Sequence, residues 1–368
     1  MSAPMATWLI EPLPPDVADS LQRLRDEPDV VRVSVMPDVH LAHDVCVGVA
    51  VATRSVIYPA AIGGDIGCGV AALRFAGPAD AVPPRADVIL RLLREVAPIT
   101  KHRRPQPLPV GLAALRGRGL TRALHREGAV QLGTVGRGNH FLELQADAEG
   151  ALWVVVHTGS RSLGPAIQRA HEASGTVRGR LVGVDADSDA GRSFLHDHDV
   201  AVAYAAASRA QLLAAATAVV QRVLGFDPVV SSFVDNDHNH VRREDHGDGP
   251  VWVHRKGAMP AGEGQRGVIP GSMGAATYLV EGRGCPAALG SSSHGAGRCM
   301  SRAEARQRVS PAALRQQMGE VCFDVSRAAG LCEEAPAAYK DVDRVMRAQR
   351  ALTRVVGVHR PVLSHKGV

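Results

Sequence analysis

The chain has no compact cysteine framework: Cys46, Cys68, Cys285, Cys299, Cys322 and Cys332 fall at irregular intervals. Small disulfide scaffolds space their cysteines closely, so this usage points to a reducing compartment. The opening Met-Ser-Ala-Pro-Met-Ala-Thr-Trp-Leu-Ile lacks the basic start and apolar core of a secretory leader. No long apolar run is clean either. The longest, Ala201 to Leu224, is interrupted by Arg209, Gln211 and Gln221 and reads as a buried helix rather than a membrane span. These absences make the cytoplasm the expected location. There is no fixed-period repeat, and no Pro/Ser-rich or single-charge linker divides the 368 residues. One domain over residues 1–368 is therefore expected. The net charge of +5 and pI near 9.1 suit a polyanionic partner, but an excess this mild over such a length does not identify one.

What is present is an alternation of β-type runs and glycine loops. Val30–Val35, Val47–Ala52, Val70–Phe75, Leu152–Val156, Val251–His254 and Thr277–Val280 read as strands that deliver loops to a common edge. Helical patterns cover Pro15–Arg25, Pro84–Val96, Ala113–Arg126, Pro165–Ala173, Ala190–Val223, Arg302–Arg308, Pro311–Val321 and Pro336–Gln349, several opening with proline in the first turn. Ser174–Asp189 reads as a surface loop, and the Ala-rich helix after it as core scaffold. The fold class expected is α+β, with mixed sheets, flanking helices and a central cleft.

Four polar clusters sit in glycine-rich surroundings far apart in the chain. Asp65 and Cys68 are three residues apart, so a carboxylate and a thiolate can reach the same or adjacent ions, and a thiolate can bridge two. The plain alternative is a packed cysteine beside a turn aspartate. Asn139-His140 follows a glycine run, and His157 ends the apolar strand before it, a ligand position that a structural histidine also occupies. His238-Asn239 lies in a polar run that reads equally as a solvated turn, with His240, His246 and most other histidines left to the surface. Ser293-His294-Gly295-Ala296-Gly297-Arg298 suits a nucleophilic histidine beside backbone amides and a guanidinium that bind phosphate. It also precedes a capping box, Ser301 to Glu304, and so fits an ordinary helix start.

Taken together, Met36-Pro-Asp38-Val-His40, Asp65-Ile-Gly-Cys68, Gly136 to Glu143, His157 to Gly164, His254 to Ala258, Ile269 to Gly274, Ser293 to Arg298 and Ala335 to Asp341 resemble the RtcB family of RNA-splicing and repair ligases, in family order from Met36 to Lys366. The resemblance implies GTP- and Mn²⁺-dependent joining of an RNA 3′-phosphate or 2′,3′-cyclic phosphate to a 5′-hydroxyl, through histidine–GMP and RNA–GMP intermediates. It implies two Mn²⁺ ions, one on Cys68, His140 and His157 and the other on Asp65, Cys68 and His238, with Cys68 shared. His294 would be the nucleophile, oriented by Asp38. Glu143 and Lys366 would read the guanine edge, and Tyr339 would stack on its face. Asn139, Asn239, Ser272, Thr277 and Arg298, with the Gly295-Ala296-Gly297 turn, would contact phosphate or ribose.

Thr277 stands where the family commonly has Ser, Cys299 where Val is frequent, and Phe75 to Gln131 is compressed, as in short bacterial paralogues. Preserved chemistry with altered RNA access is expected. Two competing readings are a two-metal phosphoesterase and a catalytically silent RNA- or ribosome-binding paralogue. GTP consumption separates them from a ligase.

Overall fold

The protein, described from a computed structural model, is resolved over residues 2–247 and 249–367. Its largest sheet runs Pro228–Asp237, Gly69–Pro78, Ala151–Thr158, Phe141–Ala146, Thr353–Lys366, Thr277–Gly282 and Arg266–Pro270, with Cys322–Phe323 added beside Thr353–Lys366. The sheet curls towards closure, since Val268 on one edge strand donates its N–H to the Asn236 side chain on the other at 3.0 Å. Strands from the two ends of the chain interleave here. Alternate residues face opposite sides, and both sides are buried: Leu73, Phe75, Val154 and Val156 on one, Val70, Ala72, Trp153 and Val155 on the other.

The first face is covered by Ala86–Val96 and by the Asp189–Leu224 helix, through Ile89, Leu93, Leu212, Leu213, Val219 and Val220. Each such side chain is worth roughly 1.5–3 kcal/mol when fully buried. Ser188 caps the long helix by accepting from the Gly191 N–H, and Gly225 ends it in the left-handed region at φ 74°. Among the described residues no helix is long and apolar enough to cross a membrane.

A second sheet runs Met5–Thr7, Val30–His40, Val47–Thr53, Pro250–Lys256 and Asn239–Asp245. The two sheets meet at one residue: Pro228–Asp237 belongs to the large sheet, Asn239–Asp245 to the second, and His238 alone lies between them.

All six strands and most of the helices read from the sequence are present, with Pro15–Arg25 and Arg302–Arg308 unchanged. Three readings need correction. Of Ala113–Arg126, only Leu120–Ala123 begins an α-helix, which continues as a π-helical turn. The residues before it form a loop because buried Asp197 accepts from the backbone N–H groups of Arg116 and Gly117, at 2.7 and 2.8 Å. Ser174–Asp189 is a hairpin, Thr176–Arg178 with Leu181–Asp185, that also pairs with Val56–Ile57. Pro336–Gln349 divides into a 3₁₀ turn and the Val342–Ala348 helix, with Asp341 capping the latter.

Candidate active site

Register brings the distant glycine loops to one sheet end. Val70, His157 and Phe141 stand side by side across three strands, so Cys68, one residue before its strand, and His140, immediately before its own, reach the same edge as His157. Lys366 pairs with Phe141 and Ser364 with Glu143 in the next strand over. His238 arrives from the junction of the two sheets, its N–H donating to the Cys68 carbonyl at 2.8 Å. The loops are tied from behind by Arg209 of the long helix. It donates to the carbonyls of Gly67 at 2.7 Å and Thr158 at 3.4 Å and pairs with Asp235.

The result is a cleft of about 800 Å³. The Cys68 sulfur lies 3.3 Å from Nε2 of both His140 and His157, and His157 Nε2 lies 3.3 Å from His238 Nε2. Donor atoms of Cys68, His157 and His238 all fall within 4.8 Å of one another, as do those of Asp65, Cys68 and His140. Cys68 is common to both groups, as expected, but the division differs from the expected one: His140 belongs with Asp65 and His238 with His157. The reason is local. His140 Nε2 sits 3.0 Å from the Asp65 carboxylate, whereas His238 enters on the opposite side of the sulfur beside His157.

The electrostatics fit a cation. Burial, reinforced by neighbouring histidines, pushes the rings of His157 and His238 well below the ordinary histidine range, so both are neutral. His157 Nδ1 donates to the Asn139 carbonyl at 3.1 Å, which leaves Nε2 bare towards the sulfur. His238 Nδ1 is buried without a partner. Burial raises the Asp65 carboxyl, but His140 and Arg161 outweigh it and keep the group below its usual value. Burial and then Asp65 drive the Cys68 thiol well above its ordinary value, so a divalent ion bound there must displace the thiol proton. A sulfur flanked by imidazoles and a carboxylate suits borderline transition metals, and the two groups have the donors for two ions sharing one thiolate.

Beside this cluster lies a histidine of a different kind. His294 Nδ1 and its backbone N–H both point at one oxygen of Asp38, at 2.7 and 3.2 Å, and Asp38 is fully buried. A carboxylate oxygen only accepts, so Nδ1 carries a proton, and in the neutral tautomer Nε2 is the nitrogen with the lone pair. Gly297, at φ 73°, lets the loop press onto Asp38, because any Cβ there would strike the Asp38 carbonyl. The His294 and His238 rings are 4.6 Å apart.

Asn139, Glu143, Asn239, Ser272, Gly295, Ala296, Gly297, Arg298, Tyr339 and Lys366 line the same cleft. Thr277 does not. It is buried one layer behind, accepting from Gln145 Nε2 at 3.0 Å, while Gln145 also donates to Glu143 at 2.8 Å. Arg298 lines the cleft but is largely committed, donating to the Met300 and Glu333 carbonyls, to Glu334 and to Tyr339. Four of a guanidinium's five N–H groups are thus used within the protein, and the expected phosphate clamp has at most one left. Asn239 is similarly engaged, bridging the Asp65 carbonyl and the Gly257 N–H.

The histidine reading also needs correction: ten of the sixteen are buried. His240 is one of them, accepting from Arg255 at 3.1 Å. Residues the sequence reading passed over are Glu334 and Arg302, which line the cleft, and Lys340, which donates to the carbonyls of Pro37 and Val39 on either side of Asp38. Glu334 directly precedes the Ala335 to Asp341 stretch and Lys340 lies inside it, which was the available signal.

A cysteine-centred pair of candidate metal groups beside a histidine held by a buried aspartate defines the class of site, a candidate metal-binding active site. The family model described as "tRNA-splicing ligase RtcB" matches residues 20–116 and 110–367. The RNA-splicing ligase RtcB of Escherichia coli K12 is 31% identical over 405 aligned residues, covering 100% of this chain and 98% of that protein. The RNA-splicing ligase RtcB of Mycobacterium tuberculosis H37Rv is 33% identical over 427, covering 92% and 98%. The tRNA-splicing ligase RtcB of Thermococcus kodakarensis is 31% identical over 420, covering 90% and 87%. The chain belongs to the RtcB family.

Proposed function

We propose that this protein is an RNA ligase that uses GTP and Mn²⁺ to join a 3′-phosphate or 2′,3′-cyclic phosphate end to a 5′-hydroxyl end in the cytoplasm. The names of its relatives support the ligase class and the RNA substrate. The observation that carries the mechanism is the Asp38–His294 couple, whose ring is held at Nδ1 and shares a cleft with the Cys68 cluster.

With the proton held at Nδ1 by Asp38, the Nε2 lone pair of His294 attacks the α-phosphorus of GTP. An N–P bond forms, the α–β bridging bond breaks, and pyrophosphate leaves. The RNA 3′-phosphate oxygen then takes the guanylyl group from His294, and the 5′-hydroxyl oxygen displaces GMP from that activated phosphate. A cyclic phosphate is first opened by water. Asp65, Cys68, His140, His157 and His238 would hold the two ions, which supply charge neutralisation at the reacting phosphates. Glu143 and Lys366 are assigned to the guanine edge and Tyr339 to its face. Asn139, Ser272 and the Gly295 to Gly297 amides are assigned to phosphate and ribose.

The test is incubation with α-³²P-GTP and Mn²⁺. The expected product is a labelled protein that loses GMP in acid and keeps it in mild alkali, as a histidine phosphoramidate does. His294→Ala should carry no label while retaining its metal. Label that persists in His294→Ala, or that maps to a lysine, overturns the mechanism.

A further inference from the structure

Glu334 ends the Cys332–Glu334 turn with its carboxylate fully buried, yet it is surrounded by charge. One oxygen accepts from Arg298 Nη1 at 3.1 Å and Arg302 Nε at 3.2 Å. The other accepts from the Tyr339 hydroxyl and lies 3.6 Å from the Lys366 ammonium. The four partners come from three segments, Arg298 to Arg302, Tyr339 and Lys366, and all line the cleft. Burial alone would push this carboxyl up, but Lys366, Tyr339, Arg298 and Arg302 outweigh it and hold it below its usual range. The Arg298 guanidinium stacks 5.1 Å from the Tyr339 ring centroid, so one ring face is covered and a planar ligand has only the other.

We infer that Glu334 is a positioning residue: without touching nucleotide, it fixes the Tyr339 ring and the Lys366 ammonium in the places from which they grip the guanine base. The inference rests on the nucleotide reading above and deepens it. A glutamine at this position can accept at only one oxygen, and its NH₂ group would face other donors. The three cations would then lose their common counter-charge, and the phenol and ammonium would lose their shared anchor.

The experiment is equilibrium binding of GTP to the full chain, paired with initial rates of His294 labelling and with Co²⁺ absorption as a readout of the Cys68 cluster. In Glu334→Gln the Kd for GTP should rise by about tenfold or more, the scale of one lost charge-assisted hydrogen bond. The labelling rate at saturating GTP should fall far less, and the Co²⁺–thiolate band should be unchanged. Tyr339→Phe keeps the ring and removes the hydroxyl. If Glu334 acts through that hydroxyl, the two substitutions will be non-additive in a double-mutant cycle. A Glu334→Gln protein with the wild-type Kd and an intact Co²⁺ band overturns the assignment, as does strict additivity. Should Glu334→Gln lose the Co²⁺ band through misfolding, Tyr339→Phe alone decides: weakened GTP binding supports the role, and unchanged binding overturns it. A wild-type protein that binds Co²⁺ but no GTP instead sinks the nucleotide reading, and the Glu334 role with it.

Discussion

The two ends of the cleft differ in what they leave unfinished. At the Cys68 end, His157 turns a bare nitrogen towards the sulfur, and His238 keeps a buried nitrogen with no partner. At the Glu334 end, three cations, a phenol and a carboxylate already satisfy one another. The first arrangement has donor atoms placed as a cation would need them. The second is assembled before any ligand arrives, so binding there spends little free energy on ordering side chains. The proposed metal end thus has open donors, and the proposed base end is preorganised.

The largest effect that would sharpen this contrast is at the shared sulfur. Cys68→Ser should cost both ions, with affinity falling by more than the roughly 100-fold that loss of a mere supporting contact can cost. His140→Ala and His157→Ala should each cost chiefly one, and a different one. Elemental analysis of the purified variants checks this, and full two-ion occupancy in Cys68→Ser would break the assignment.

A medium effect belongs to Glu143, whose carboxyl is pushed up to about 7 by burial, against the pull of Gln145, Ser364 and Lys366. Below that pH it is protonated and a poorer acceptor for guanine N–H groups. Affinity for guanosine should therefore rise with pH, by about tenfold between pH 6 and 8, as the carboxylate forms. Calorimetry of the wild type against Glu143→Gln checks it. The variant should bind weakly and without that pH dependence, and an equal slope in both would remove Glu143 from the base site.

The smallest effect should be at Thr277. Because its hydroxyl serves Gln145 behind the cleft, Thr277→Ser should leave GTP affinity unchanged. It should cost no more than about 1.5 kcal/mol of stability for the lost methyl. Denaturant unfolding and GTP titration separate the two. A clear change in affinity would move the hydroxyl into the cleft.

The parts of this molecule that were legible in its sequence were those whose signal is local. Val70–Phe75 and Leu152–Val156 announce themselves as strands by apolar runs, and Arg302–Arg308 by its Ser301 cap. The ligands were legible as a set through motif order, but their division between two groups was not. Which side of the sulfur His140 and His238 occupy depends on strand register and on the junction of two sheets. Thr353–Lys366 went unread because Arg354, Pro361 and two register shifts break its alternation, although it carries Lys366 into the site. Glu334 went unread for the opposite reason: in sequence it is half of an ordinary acidic pair, and only its partners, three of them more than thirty residues away, give it meaning. Arg298 shows the limit of motif chemistry, since its residue type fitted a phosphate clamp while its donors are engaged elsewhere.

The position of His238 has a mechanical side. One residue separates the strand that belongs to the large sheet from the strand that belongs to the second, and that residue points at the shared sulfur. A shear of one sheet past the other would therefore pull on this residue, whose backbone bonds to Cys68 on one side and to Ala258 on the other. An ion held by all three would act as a rivet through the seam, so filling the site would also lock the sheets. Amide exchange along Asn239–Asp245 would register it as slowed opening on metal addition, at backbone positions that no ligand touches.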